Sequence, residues 1–417
     1  MAARRLFHWK ILEKTLNKLI ITRWEGRILT SVISDEGVVE LNLEDKREKS
    51  LLNNIYIGKV KNVVKNINAA FVDLGDGQTA YYSLNENTSH HFTGPHDKGP
   101  LRAGDEIIVQ VSKEAIKTKD PVVSSNLSIP GRYCVLTAGR NLLGFSAKIT
   151  DQAWKQEMKD LLLPEMEEGF GMIVRTNAYE AETGELLGEI KSLKDRLVAV
   201  LEAGTYRTCY SLLYEAVPSY LGSLRDAKAG SFDEIITDDE EIYQNLYRYL
   251  NTEQPGDLKK LVMYRDAMVS LLKLYSLEKA VEEALGRRVW LKSGGYLVIE
   301  PTEALTVVDV NTGKYTGKKN PRDTILKINL EAARETTRQM RLRNLSGIII
   351  IDFIDMAEEE DRNILVHKLS EWCRNDPVKT TVVDMTALNL VEVTRKKLRR
   401  PLHEILDKPG AKGDTGR

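Results

Sequence analysis

Cysteine is scarce in this chain. Cys134, Cys209 and Cys373 stand far apart, and no two have metal-ligand spacing. That excludes a disulfide framework and fits a reducing compartment, so a cytoplasmic protein is expected. Long apolar runs are missing too: none approaches about eighteen residues, which excludes a membrane-spanning helix. Charge of one sign is also lacking, because 60 Lys and Arg face 61 Asp and Glu for a net charge of −1. Global charge therefore points to no polyanionic partner, and any case for nucleic acid must rest on local clusters. Residues 1–20 carry Leu12, Leu16 and Leu19 on one helical face, broken by Arg4, Arg5, Lys10, Lys14 and Lys18. That pattern excludes a secretory signal and predicts a surface helix or a misassigned start codon. What remains is an ordinary globular composition, 42% hydrophobic and 29% charged over 417 residues. This length is too great for one simple core and predicts about two to four subdomains.

The most informative stretch runs from Leu305 to Asp355. Leu305 to Val310 is a β-branched apolar run that predicts a mostly buried strand, interrupted by Asp309, with Asn311 on the same face. Asp323 can cap a helix in which Ile325, Ile328, Ala332, Thr336 and Met340 recur at helical spacing. Gly347 ends the connection, and Ile348 to Ile351 predict a second buried strand that stops at Asp352. Strand, helix, strand is a crossover unit, so the two strands are parallel if they share a sheet. Both aspartates then lie at carboxyl ends on one side, where such sheets place their sites. A lone aspartate at a strand end is more often a turn cap. Two that converge, with an asparagine beside them, suit a hard divalent cation such as magnesium.

The rest of the chain reads as several smaller units. Leu19 to Leu43 alternates as a β meander, and residues 50–125 predict a small β-barrel in which Phe71 and Tyr81 flank a hairpin turn near Lys59, Lys61 and Lys65. Aromatics beside a basic track are how OB-folds grip single strands, although either ring alone is more often core. A strand over residues 132–137 and a helix near Asp151 to Leu163 precede GMIV and the pair Arg175-Thr176. A guanidinium fork beside a hydroxyl suits a terminal phosphate, although a surface salt bridge is the commoner use of such a dipeptide. A strand at Glu234 to Ile236 and helices follow, the last closed by Gly286. A hairpin of Val289–Leu291 and Tyr296–Ile299 comes next. Beyond Asp355 comes a helix with Ile364, Leu365, Leu369, Trp372 and Cys373 inward, then a strand at Thr380 to Val383. The charged run 388–400 predicts a solvated helix. With Lys314 to Arg322 and Arg334, Arg338 and Arg341 it also outlines a phosphate-binding surface, unless those arginines pair with Glu331 and Glu335.

Three runs, VVDVNTG at 307–313, NLEAARE at 329–335 and RLRNLSGIIIIDFIDM at 341–356, resemble the ribonuclease E/G endoribonucleases. The resemblance extends from about Asn54 to about Arg400 and takes in IYIGKVKNVVKNINAAFVDLG at 55–75. It implies an α/β multi-subdomain fold. Residues 21–49 and 221–286 would form a ribonuclease H-like portion, 50–125 an OB-fold and 126–220 a 5′-sensor region. Residues 287–406 would be a DNase I-like catalytic domain, after an N-terminal extension over 1–20 and before a disordered tail over 407–417. The resemblance further implies that Asp309 and Asp352 bind catalytic magnesium, with manganese as a substitute, and that Asn311 assists them. Phe71, Tyr81 and Lys119 would contact RNA. Arg175 and Thr176, with Gly131 and Val135 as lining, would hold a 5′ monophosphate. Lys379 stands where the family has an arginine, which keeps the charge and loses the fork.

One departure is plain. Family members follow the catalytic domain with a Cys-x-x-Cys that shares zinc across a dimer, whereas DKPGAKG stands here and no cysteine follows Cys373. No zinc is expected, and a homodimer is left open. The expected activity is magnesium-dependent cleavage of single-stranded RNA to 5′-phosphate and 3′-hydroxyl ends, in ribosomal or transfer RNA processing or messenger decay. The rivals are a non-catalytic RNA-binding protein on the same fold and a magnesium-dependent DNA nuclease.

Overall fold

The computed structural model describes residues 17–45, 50–94, 99–115, 120–139, 141–228, 230–313 and 321–406. Lys119, most of the 314–322 loop, the expected helix before Asn17 and the tail after Leu406 lie outside the described residues. The chain divides into two compact units, one of residues 1–46 and 232–417, the other of residues 47–231. Residues 221–231 group with the second of these.

The first unit holds two sheets. In one, the antiparallel meander Lys18–Trp24, Arg27–Ser34 and Gly37–Asp45 is extended in parallel by Glu234–Thr237 and Leu261–Met263. The strand begins at Lys18, so the end of the expected N-terminal extension belongs to this sheet. The other sheet runs Arg288–Trp290, Tyr296–Pro301, Leu305–Asn311, Gly347–Asp352, Leu390–Arg395, Thr380–Met385. Among the described residues its one parallel pair is Leu305–Asn311 with Gly347–Asp352, joined by the helix Pro321–Leu342 as a crossover requires. That helix starts two residues before Asp323, which sits in its first turn instead of capping it.

Thr306, Val308, Val310, Ile349 and Ile351 are buried while their neighbours are not. The two strands expected to be buried throughout thus alternate, because only one sheet face packs on the helices Pro321–Leu342 and Glu359–Arg374. Ile328, Ala332, Thr336 and Met340 fill that core as their spacing predicts. Burying Ile328 and Met340 contributes about 1.5–3 kcal/mol each. Leu365, Leu369 and Cys373 also face inward, but Ile364 is 39% exposed.

The charged run 388–400 is a correction. Leu390–Arg395 is an inner strand between Gly347–Asp352 and Thr380–Met385, not a solvated helix. Arg395 turns into the core and pairs with buried Asp376 at 2.7 Å. Arg334, Arg338 and Arg341 are likewise engaged. They meet Glu36, Glu335 and Glu40, and Arg338 also donates to the Val38 carbonyl at 2.8 Å, which ties the crossover helix to Gly37–Asp45.

In the second unit five strands close a barrel: Ile55–Val64, Ala69–Asp73, Thr79–Ser83, Val122–Ser124 and Glu106–Lys113, the last pairing back on the first. Gly58 pairs with Ile107 one residue before the strand turns its other edge to Ala69–Asp73, and a side chain there would run into Val72 and Val109. The unit's four-stranded sheet, Ser128–Pro130, Cys134–Ala138, Phe170–Val174 and Leu143–Phe145, packs its core under the helix Thr183–Tyr206. Neither that 24-residue helix nor the strand Leu261–Met263 was expected from the sequence.

Candidate functional site

Parallel pairing sets Asp309 directly opposite Asp352. Their strand neighbours Val308, Val310 and Ile351 are buried in the core, so alternation turns both carboxylates to the opposite face, together with Asn311. Asn311 Nδ2 donates to Asp309 Oδ2 at 2.8 Å. Partial burial pushes the Asp352 carboxyl above its ordinary range, and the Asp309 and Asp355 charges push it the same way. Asp355 lies in the loop just beyond and accepts from Asn389 Nδ2 at 3.3 Å.

The loop after Asp352 is pinned from behind. Asn329 is fully buried; its Nδ2 donates to the Ile354 carbonyl at 2.8 Å and its Oδ1 accepts from the Ile354 N–H at 3.1 Å. The hairpin turn before Tyr296 fixes the other end. A Cβ on Gly295 would lie 2.8 Å from the Asn311 carbonyl oxygen, so the turn can seat against that strand end only as glycine.

Two carboxylates side by side, each charge disfavouring the other, form a donor set that suits a hard cation. Among the described residues no group of three or more His, Cys, Asp or Glu could hold a metal. A closed protein cage is thus not built here. Magnesium needs none, since one or two carboxylates, water and a substrate phosphate complete its shell.

In the barrel, Phe71 and Tyr81 are cross-strand partners with ring centroids 6.1 Å apart, edge to face, and both are half-buried. Tyr82, one residue on, points into the core. Of the nearby lysines, Lys61 pairs with Asp73 at 3.3 Å and Lys59 reaches Glu106 at 3.9 Å.

Arg175 and Thr176 directly follow the strand Phe170–Val174. The Arg175 fork is already engaged: one nitrogen donates to the Gly131 carbonyl at 2.6 Å and another pairs with Asp226 at 2.8 Å. Arg225 bonds the same Asp226 at 2.9 Å. Thr176 is exposed, and Val135 is half-buried opposite Ile173. Lys379 is exposed and belongs to the other compact unit.

Two residues here escaped the sequence. Glu189, on the long helix, accepts from the backbone N–H groups of Arg132, Tyr133 and Cys134 at 2.7, 2.8 and 3.0 Å and so holds the turn that carries Gly131. Asp226 orients Arg175 from fifty-one positions away, and no local pattern announces either residue.

The model of the Ribonuclease E/G family matches residues 128–398, well over half of the chain. Ribonuclease G of Escherichia coli strain K12 is 34% identical over 383 residues, an alignment that covers 89% of this chain and 78% of that protein. Ribonuclease G of Haemophilus influenzae is 34% identical, with 88% and 77% covered. Ribonuclease E of Nostoc sp. PCC 7120 is 31% identical over 94% of this chain and 56% of its own length. No helix among the described residues is long and apolar enough to cross a membrane.

Proposed function

The chain belongs to the ribonuclease E/G family, and on that premise we propose that it is a magnesium-dependent endoribonuclease acting on single-stranded RNA. The observation that carries this reading is the in-register pairing of Asp309 with Asp352, with Asn311 bonded to the first. Asp309 and Asp352 would hold the cation. When bound, it polarises the scissile phosphate and makes a nearby water more acidic. Asn311 fixes the Asp309 carboxylate through Nδ2 and keeps an amide oxygen with which to orient that water. Water attacks phosphorus in line and the 3′ oxygen leaves, giving 5′-phosphate and 3′-hydroxyl ends without activation of a 2′ hydroxyl.

The barrel is read as an OB-fold in which Phe71 and Tyr81 meet the RNA, with Lys119 as a further contact. The meander sheet is read as the ribonuclease H-like portion and the six-stranded sheet as DNase I-like. Arg175 and Thr176 would recognise a 5′ monophosphate, with Gly131 and Val135 lining the pocket. The substrates would be ribosomal or transfer RNA precursors or messengers in the cytoplasm.

The test is incubation with a 5′-labelled single-stranded RNA, with and without chelator. Internal cuts bearing 3′-hydroxyl ends, lost on chelation, are expected. RNA bound but never cut would favour the non-catalytic rival, and equal cutting of DNA would favour the DNA nuclease.

A further inference from the structure

The sheet face that carries the two aspartates continues, in register, onto an aromatic pair. Trp290 lies opposite Tyr296, and Tyr296 lies opposite Asn311; one rank along, Arg288 lies opposite Val298, which lies opposite Asp309. Residues directly opposite each other share a face, so Trp290, Tyr296 and Arg288 project on the same side as Asp309 and Asn311. At about 4.8 Å per strand, Tyr296 is one strand from Asn311 and Trp290 about two. Trp290 is 65% exposed on the terminal strand of the sheet. Its ring centroid is 5.2 Å from that of Tyr296, and the Arg288 guanidinium lies 4.6 Å from the Tyr296 centroid and 5.8 Å from that of Trp290.

We propose that Trp290, Tyr296 and Arg288 form a subsite of the catalytic face that stacks one base of a single-stranded RNA close to the bond being cut. This rests on the reading of the face as a ribonuclease site. An aromatic pair can simply pin a hairpin, but pinning does not account for a tryptophan left mostly in water on an edge strand. Nor does it account for Arg288, which has no carboxylate partner among the described residues and rests on ring faces alone. A base on the exposed indole and a phosphate on the guanidinium supply both missing partners, in the manner of single-strand platforms. Every base has a π-face, so the subsite selects unstacked nucleotides instead of a sequence.

The test uses the full chain and single-stranded RNA oligomers with one abasic nucleotide moved along the sequence. Trp290→Ala should lower kcat/KM on intact RNA about tenfold, and Trp290→Phe should restore most of it. An abasic residue at a single position near the cut should cost the wild type a similar factor and cost Trp290→Ala almost nothing more. Trp290→Ala acting at the wild-type rate, or its loss multiplying with the abasic loss at every position, would overturn the subsite. A second readout in chelator, where nothing is cut, places a photoreactive uridine at each position. A crosslink to the Arg288–Tyr296 hairpin from one position supports the subsite, and none from any position overturns it, whether or not the protein cleaves RNA. Failure to cleave any RNA would instead overturn the ribonuclease reading.

Discussion

Asp376→Ala should destabilise the protein more than any change to an exposed charge, because it strands a buried cation. Asp376 is 6% exposed and Arg395 4%. The carboxylate accepts from Arg395 at 2.7 and 3.3 Å, from Thr380 Oγ1 at 3.0 Å and from the Val378 N–H at 2.9 Å. The remaining guanidinium nitrogen donates to the Leu345 carbonyl at 2.9 Å and to Asn344 Oδ1 at 3.0 Å, so every direction is filled. Removing one partner of such a pair costs about 3–5 kcal/mol, whereas replacing both with apolar side chains is often near neutral. At about 2–4 °C per kcal/mol for a unit of this size, Tm should fall by about 6–20 °C in Asp376→Ala. The double variant Asp376→Leu with Arg395→Met should recover most of that. Urea unfolding of wild type, single and double variants measures the cycle. The double variant should also keep the wild-type salt dependence of RNA affinity, because a lost phosphate contact would reduce the slope by about 0.7. A single variant within about 1 kcal/mol of wild type, or a double no better than the single, would refute the reasoning.

Asp309→Asn or Asp352→Asn should abolish cleavage while leaving RNA affinity nearly intact in a filter-binding assay, because in the proposed reading the cation acts on the transition state and the barrel supplies most of the binding; wild-type rates in either variant would sink the metal-ligand roles. RNA with a 5′ monophosphate should be cut about ten- to a hundredfold faster than 5′-hydroxyl RNA, and Arg175→Ala should erase only that difference. Equal rates at subsaturating substrate would mean that Arg175 reads no 5′ end. Asn329→Leu takes both partners from the half-buried Ile354 N–H and carbonyl, at up to about 1–3 kcal/mol each, and releases the loop after Asp352. Its kcat should fall with little change in RNA affinity, and an unchanged kcat would separate that loop from the chemistry.

How much of this was legible depended on the range over which each determinant acts. The strand–helix–strand unit and its two aspartates could be read, because β-branched runs and the spacing of Ile328, Ala332, Thr336 and Met340 are local signals. In the run 388–400 the density of lysine and arginine outweighed a period of two that was present: Val391 and Val393 alternate with Leu390, Glu392 and Thr394. The burial of Arg395 could not be read, since its partner Asp376 lies nineteen residues away. Arg338 meets Glu335 three residues before it, the local pairing that the sequence offered as the alternative to a phosphate surface, whereas Arg334 and Arg341 looked free for the same reason as Arg395. Glu36, Glu40 and the Val38 carbonyl lie about three hundred positions upstream. The helix Thr183–Tyr206 was a different kind of miss, for Leu186, Ile190, Leu193, Leu197 and Val200 recur at helical spacing.

The juxtaposition of Asp309 with Asp352 follows from packing as much as from chemistry. A slip of one residue in the Gly347–Asp352 strand would carry Ile349 and Ile351 out of the core and Asp352 into it, because side chains alternate strictly along a strand. Burial of those two isoleucines against Val308, Val310 and the crossover helix therefore locks the register that sets the carboxylates side by side. Two adjacent carboxylates alone would repel, and in the absence of a cation the register has to be held by the core. The hydrophobic face thus builds the acidic one.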